Sequence, residues 1–401
     1  MTVTVHTSLA APPLSLAPRR DLRTLLDPIR PQMDQVEAKL RATDEEEFPL
    51  LHLALDRLFG SGGKRLRPAL ALLGARLGPF APDDHRRVAL GAALETLHTA
   101  SLVHDDLIDN AYVRRGLPTL NLVWSPAATV LAGDYLFARA AVLITETNNV
   151  RVIARFAETL RQLCDGELRQ LFRNAFVSMP GLAASFGLSM DGHEPGHAAL
   201  EGSAATVEDG LALLPTYNEY ERRITGKTAA LFATSAETGA VLSGCTEEQI
   251  TAARLYGLAL GRAFQVVDDV LDFTSTEAEL GKPVGSDMRQ GHLTLPVMRF
   301  AQANAAEWHG WLQAIPQLVK GSNHLFGEAP ADSGKQGSTP AQESAFARLI
   351  ERIAHSEGVP SALKRAEQYA REAQQALSLL PDSPAKALLL EIAEYVVERT
   401  Y

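Results

Sequence analysis

The 401-residue sequence predicts an all-α protein. Three observations predict it. Apolar residues recur three and four apart, as in Leu51, Leu55 and Leu58, in Leu90, Leu94 and Leu97, and from Leu255 and Leu258 on to Val266 and Val270. That spacing turns one face of a helix toward a core. Ala and Leu, both strong helix formers, are abundant. No sustained alternation of β-branched and polar residues and no Asn-Gly hairpin signal is found.

In chain order, residues 1–18 are apolar, lack a basic start and are interrupted by Pro12, Pro13 and Pro18. They are read as a frayed tail rather than a signal peptide, and residues 1–20 are set aside as flexible. The remainder, 21–401, is expected to form a single helical-bundle domain around a central cavity. Two stretches break its periodicity: 178–215, rich in Gly, Ala, Ser and His, and 320–343, with Gly-Ser, Ala-Pro and Thr-Pro steps. Both are expected as loop insertions. No stretch approaches eighteen uncharged apolar residues, so no transmembrane segment is expected. A net charge of −10, with no basic stripe interleaved with aromatics, argues against nucleic acid as a partner. Two cysteines, Cys164 and Cys245, exclude a disulfide scaffold and suit a reducing, cytoplasmic setting.

The periodic run from about Arg86 leads into Asp105-Asp106-Leu107-Ile108-Asp109. Residues four apart share a helix face, so Asp105 and Asp109 point the same way. Two carboxylates one turn apart suit a hard divalent ion such as Mg2+ shared with a phosphate. Taken alone, the cluster reads more readily as a solvated acidic face. A second copy, Asp268-Asp269-Val270-Leu271-Asp272, follows an apolar run, where carboxylates are costly unless a cation meets them. Two such clusters could clamp metals across a bundle. Lys64 and Arg67 follow a glycine pair, Arg114 and Arg115 lie just beyond the first cluster, and Lys227 and Thr228 follow Gly226. Fixed cations beside metal-binding acids suit a substrate that carries phosphates. Neither glycine-lysine segment is a Walker A loop: Glu221 stands where Gly226-Lys227-Thr228 would need a glycine, and Arg65 follows Lys64. In the insertion, His193 and His197 flank Pro195, which keeps a helix from presenting both to one metal.

Taken together, these residues resemble the trans-isoprenyl diphosphate synthase (polyprenyl synthetase) family. The matching pieces are Gly-Gly-Lys-Arg-Leu-Arg-Pro at 62–68, the run at 95–109 ending in the first acid cluster, Arg-Arg-Gly at 114–116, Gly-Asp-Tyr-Leu at 133–136, Gly-Lys-Thr-Ala at 226–229, Phe-Gln-Val-Val-Asp-Asp-Val-Leu-Asp at 264–272 and Gly-Lys-Pro-Val-Gly-Ser-Asp at 281–287. They follow the family's order and span most of the chain. The resemblance implies a prenyltransferase that condenses isopentenyl diphosphate with an allylic diphosphate, head to tail. It implies a homodimer and two to three Mg2+ per active site. Carried over, Asp105, Asp109 and Asp268 hold Mg2+, with Asp272 in the same metal set and Asp106 supporting it. Arg114, Lys227, Thr228, Gln265 and Lys282 contact the allylic diphosphate. Lys64, Arg67, His98 and Arg115 hold isopentenyl diphosphate. His292 stands where the family often has a lysine.

The spacing is consistent with this: His98, Ser101, Asp105 and Asp109 form one stripe, and Gly261, Gln265, Asp268 and Asp272 another. Ala100 and Ser101, just before Asp105, are small, where the family uses a large aromatic to stop growth early. Leu97 and Leu94 come a turn apart deeper on the same face. A long product, C30 to C45, is therefore expected, most naturally for quinone side chains, with peripheral membrane contact for its release. Alternatives are a geranylgeranyl diphosphate synthase, a class I terpene cyclase and a non-catalytic synthase subunit. The cyclase fits less well because the second motif is a full Asp-Asp-x-x-Asp run and a second diphosphate pocket is present. The subunit fits less well because both acid clusters are intact.

Overall fold

The structure is a computed structural model that describes residues 21–42, 48–60, 62–114, 116–178, 206–212, 214–277, 283–315 and 340–399. It is built from helices in the order α1 (Arg30–Arg41), α2 (Pro49–Gly60), α3 (Leu66–Gly74), α4 (Asp84–Ile108), α5 (Pro126–Thr145), α6 (Val150–Ser178), α7 (Tyr217–Ile224), α8 (Ala230–Leu242), α9 (Glu247–Thr274), α10 (Leu295–Ala303), α11 (Ala305–Ala314), α12 (Pro340–Ala354), α13 (Gly358–Ala376) and α14 (Pro384–Glu398), with shorter turns between them. The all-α expectation holds for the described residues, with one addition. A two-stranded antiparallel ribbon, Val113–Arg114 with Leu117–Pro118, pairs Val113 with Pro118 and Arg114 with Leu117.

The helices start where the sequence supplies caps. Asp83 accepts the Arg86 N–H at the head of α4, and Thr246 forms a capping box with Gln249 ahead of α9. α4 packs on α5, α1 and α3, while α9 packs on α8 and α13. One cluster of buried apolar side chains runs through these contacts from Leu22 to Val396.

Two sequence expectations are corrected. Val207–Ala212 is a short helix inside the segment expected as loop, and α6 runs to Ser178 at its edge. α12 begins at Pro340, so the second insertion ends earlier than 343. α5 is, by length and composition, long and apolar enough to cross a membrane, although Asp134 and Arg139 lie within it. It buries Leu136, Ala140 and Leu143 as a core helix does, and leaves Leu131 and Val142 about two-thirds exposed.

Candidate active site

α4 ends on the first acid cluster. Asp105 and Asp106 are nearly buried, and Asp109 is the C-cap, its N–H donating to Asp105 O at 2.8 Å. Asn110 takes the left-handed conformation that ends the helix (φ 50°). Asp106 turns away from its neighbours and accepts Arg114 Nε at 2.8 Å and Nη2 at 2.7 Å from the ribbon. Burial pushes its carboxyl up to about 6, against the pull of Arg114. Burial also raises Asp109, with Lys227 offsetting part of the effect.

The opposite wall is α9. Gly257 lets it close on α8, and Gly261 on the segment ahead of α8. A Cβ at Gly257 would lie 2.5 Å from Phe232 O, and one at Gly261 2.5 Å from Ala229 Cα. That segment, Thr225–Ala229, is a π-helical turn closed by Ala230 N–H to Thr225 O, a form found mostly at functional sites. It carries Lys227 and Thr228. Thr228 Oγ1 donates to Gln265 Oε1 at 2.6 Å, Gln265 Nε2 donates to Asp269 Oδ1 at 2.9 Å, and Tyr220 OH donates to Asp269 Oδ2 at 2.7 Å. Burial, with the charge of Asp287, pushes Asp269 up to about 7, against Arg223, Tyr220 and Gln265.

Lys227 reaches between the walls. Its Nζ lies 3.9 Å from Asp105 Oδ2 and 3.6 Å from Glu167 Oε1. Burial works against its charge, but Asp105, Glu167, Asp109 and Asp287 outweigh it and hold the ammonium above its ordinary value. Four carboxyl groups thus face one ammonium. This all-oxygen, net negative donor set fits a hard divalent cation. Among the described residues no three acidic, histidine or cysteine side chains are already drawn together as a metal cage.

The remaining predicted residues distribute as follows. Asp268, at the solvent side of α9, accepts Arg399 Nη2 at 2.5 Å. Asp272 is fully buried, and its Oδ2 accepts the Asp287 N–H at 3.1 Å, which braces the turn at 285–289. Lys64 Nζ lies 5.9 Å from the Phe264 ring centre and Arg67 4.9 Å from that of Phe232, and the two rings are 5.2 Å apart. His98 is half-buried on α4, seven residues before Asp105. Ala100, Leu97 and Leu94 are fully buried, and half-buried Ser101 donates to His98 O. His292 donates its N–H to Asp287 O at 2.8 Å. Arg115, Lys282 and the histidine pair at 193 and 197 lie outside the described residues.

Sequence reasoning missed Glu167, Asp287 and Arg399. Asp287 closes a quoted motif. Glu167 follows Gly166, a mid-helix glycine whose added Cβ would meet Gly226 at 3.5 Å. That glycine is the available signal, because it marks where α6 approaches the π turn.

The family profile described as polyprenyl synthetase matches residues 48–320. Heptaprenyl diphosphate synthase component 2 of Bacillus subtilis is 32% identical over 92% of this chain and 88% of its own length. Among solved structures, a polyprenyl synthase from Caulobacter crescentus complexed with calcium and isoprenyl diphosphate superposes with a TM-score of 0.73. It is 32% identical and covers 96% of this chain and 100% of that one. A decaprenyl diphosphate synthase from Rhodobacter capsulatus gives a TM-score of 0.70 at 32% identity, covering 95% and 100%.

Proposed function

The chain belongs to the polyprenyl synthetase family, and from that premise we propose that it condenses isopentenyl diphosphate with an allylic diphosphate, head to tail, to a long all-trans polyprenyl diphosphate of C30 to C45. The observation that carries the reading is the presence of two separate polar centres. One is the acid cage around Lys227 between α4 and α9. The other is the pair Lys64 and Arg67, seated on the rings of Phe264 and Phe232. A cyclase, which ionises one diphosphate, needs only the first.

Asp105, Asp109 and Asp268 would hold Mg2+, with Asp272 bracing from behind. When bound, Mg2+ supplies Lewis-acid neutralisation of the leaving diphosphate. Lys227, Thr228, Gln265, Arg114 and Lys282 donate to the oxygens of the allylic diphosphate, placing fixed positive charge where negative charge grows as the C–O bond breaks. Lys64, Arg67, His98 and Arg115 orient isopentenyl diphosphate so that its double bond faces the allylic carbon. The π electrons form the new C–C bond, and the proton lost from the neighbouring carbon passes to the departed diphosphate, so no protein base is required. The buried face of Leu94, Leu97 and Ala100 leads away from the acids and excludes water from the growing chain.

The long product is supported by the small Ala100 and Ser101 and by the names of the heptaprenyl and decaprenyl relatives. Quinone side chains are its natural destination, and the cytoplasm its place of synthesis. A homodimer is supported by the exposed Leu131 and Val142 of α5. The Bacillus protein is named as one component of a synthase; here both acid clusters and both cation groups lie in a single chain. Mass spectrometry of the dephosphorylated product from isopentenyl diphosphate and a farnesyl starter tests the reading. Diphosphate release that does not need isopentenyl diphosphate would replace it with a cyclase.

A further inference from the structure

The turn that presents Lys64 and Arg67 is held from below by a residue that no substrate contact requires. Between α2 and α3 the chain bends through Gly62 (φ 74°), and then Arg65 itself takes the left-handed conformation (φ 48°, ψ 31°). Side-chain-bearing residues rarely adopt that conformation, and glycine adopts it freely. An arginine stands here, and all three nitrogens of its guanidinium are engaged. Nε donates to Glu37 Oε1 at 2.5 Å, Nη1 to Glu95 Oε1 at 2.7 Å and Nη2 to Phe59 O at 2.8 Å. The side chain is 9% exposed and Glu95 is almost wholly buried. One group thus ties the turn to α1, α2 and α4 together. On α4 the attachment point, Glu95, lies three residues before His98, on the helix that continues to Asp105.

Arg65 also sits between the two cations in sequence. Fixing its backbone and its head fixes where Lys64 leaves the turn toward Phe264 and where Arg67 leaves it toward Phe232. We propose that Arg65, socketed by Glu37, Glu95 and Phe59 O, is a positioning residue of the isopentenyl diphosphate site: it sets the spacing of Lys64, Arg67 and His98 and touches no substrate itself. This rests on the reading that Lys64 and Arg67 take that diphosphate. A guanidinium suits the task because its planar fork meets three acceptors at once, whereas an ammonium on a flexible stem meets them less rigidly.

The test uses the full chain and four variants: Arg65→Gly, Arg65→Lys, Glu95→Gln and Arg67→Ala. The readouts are the KM for each substrate, kcat, and the calorimetric affinity for isopentenyl diphosphate alone, without divalent ion. Arg65→Gly keeps the backbone conformation and loses the anchor. It is expected to raise the isopentenyl diphosphate KM and Kd about tenfold, the scale of a sub-ångström loss of positioning, with kcat at saturation within about threefold and the allylic KM unchanged. Arg65→Lys should recover part of the affinity. Glu95→Gln, which keeps most of the socket, should shift the same constant in the same direction by less, and it carries the test if the glycine variant does not fold. A folded Arg65→Gly or Glu95→Gln protein with wild-type isopentenyl diphosphate affinity overturns the proposal, as does a loss that falls equally on both substrates. Arg67→Ala separates the two failures. If it weakens isopentenyl diphosphate while the Arg65 and Glu95 variants do not, only the positioning role is lost; if it too has no effect, the assignment of the pocket is wrong.

Discussion

Arg399, the last described residue of the chain, is hydrogen-bonded to Asp268, the first carboxylate of the second acid cluster, with Nη2 2.5 Å from Oδ1. The same nitrogen lies 2.7 Å from Phe264 O, and the guanidinium stacks 3.9 Å from the centre of the Phe264 ring. The residue that ends α14 is therefore fastened to the helix that carries the site. Arg399→Ala should lower unfolding stability by about 1–3 kcal/mol, because a buried stacked cation and two charge-assisted hydrogen bonds are lost while half-exposed Asp268 regains water. A urea titration reads it; an unchanged midpoint would mean that the fastening contributes nothing.

Asp105→Asn and Asp268→Asn should keep the far-ultraviolet helix signal and lose at least ~10²-fold in turnover at saturating Mg2+, the scale of removing one transition-state stabiliser. The amide preserves shape and removes charge. Near-normal turnover in either variant would argue against a clamp made by the two walls.

Lys227→Met removes the ammonium that Asp105, Glu167, Asp109 and Asp287 share. The metal-free variant should melt below wild type, and added Mg2+ should recover more stability in the variant than in wild type. In steady state the allylic KM should rise more than that for isopentenyl diphosphate. An Mg2+ response no larger than that of wild type would show that the four carboxyl groups do not share one electrostatic site.

The metal-free protein should lose stability as pH rises. Asp106 and Asp269 stand at about 6 and about 7 in the fold, against 3.8 when unperturbed. A carboxyl whose folded value is raised favours folding in its protonated form. That contribution is complete below pH 3.8 and is lost as pH climbs through 6 and 7. Urea midpoints should therefore fall between pH 5 and pH 8. Asp269→Asn, uncharged throughout, should flatten the upper part of that fall; a variant profile parallel to wild type would remove Asp269 from the explanation.

Ser101→Phe should shorten the product to C15–C20 with the first condensation nearly intact, since the diphosphate pockets are untouched. Ala100→Phe should shorten it too, but Ala100 is fully buried, so overpacking should add about 1–3 kcal/mol of destabilisation. Chain lengths by mass spectrometry decide it. Unaltered product from soluble Ser101→Phe protein would mean that the chain does not descend along α4.

The two acid helices were legible because period and chemistry coincide there. The leucine spacing before Asp105 and the apolar run before Asp268 fix the helices, and the aspartates then inherit their faces. Asp109 departs by a step: it caps α4 instead of lying within it, and still faces Lys227. The places that could not be read are those set by distant partners. The ribbon at 113–118 depends on Gly116 at φ 73° and on Asp106 holding Arg114. Asp272 has the spacing of a ligand, and its Oδ2 also accepts an N–H from Asp287, fifteen residues on. Glu167 and Arg399 belong to no local pattern around the acids; only the packing of α6 and the return of α14 bring them near.

The π turn at Thr225–Ala229 has a consequence for how this site can change. It amounts to one surplus residue in a helical path that otherwise runs from Tyr217 to Leu242. Each residue turns a helix by about 100°. Remove one, and Lys227 and Thr228 cannot face Asp105 and Gln265 while Phe232 and Ala236 keep their places in the core. Point substitutions can tune the strength of this cation, but its direction is encoded in the residue count. Drift in this stretch is therefore tolerated by letter and not by length: deletion of Thr225 alone would rotate the lysine out of the site while leaving Gly226, Lys227, Thr228 and Ala229 in the sequence.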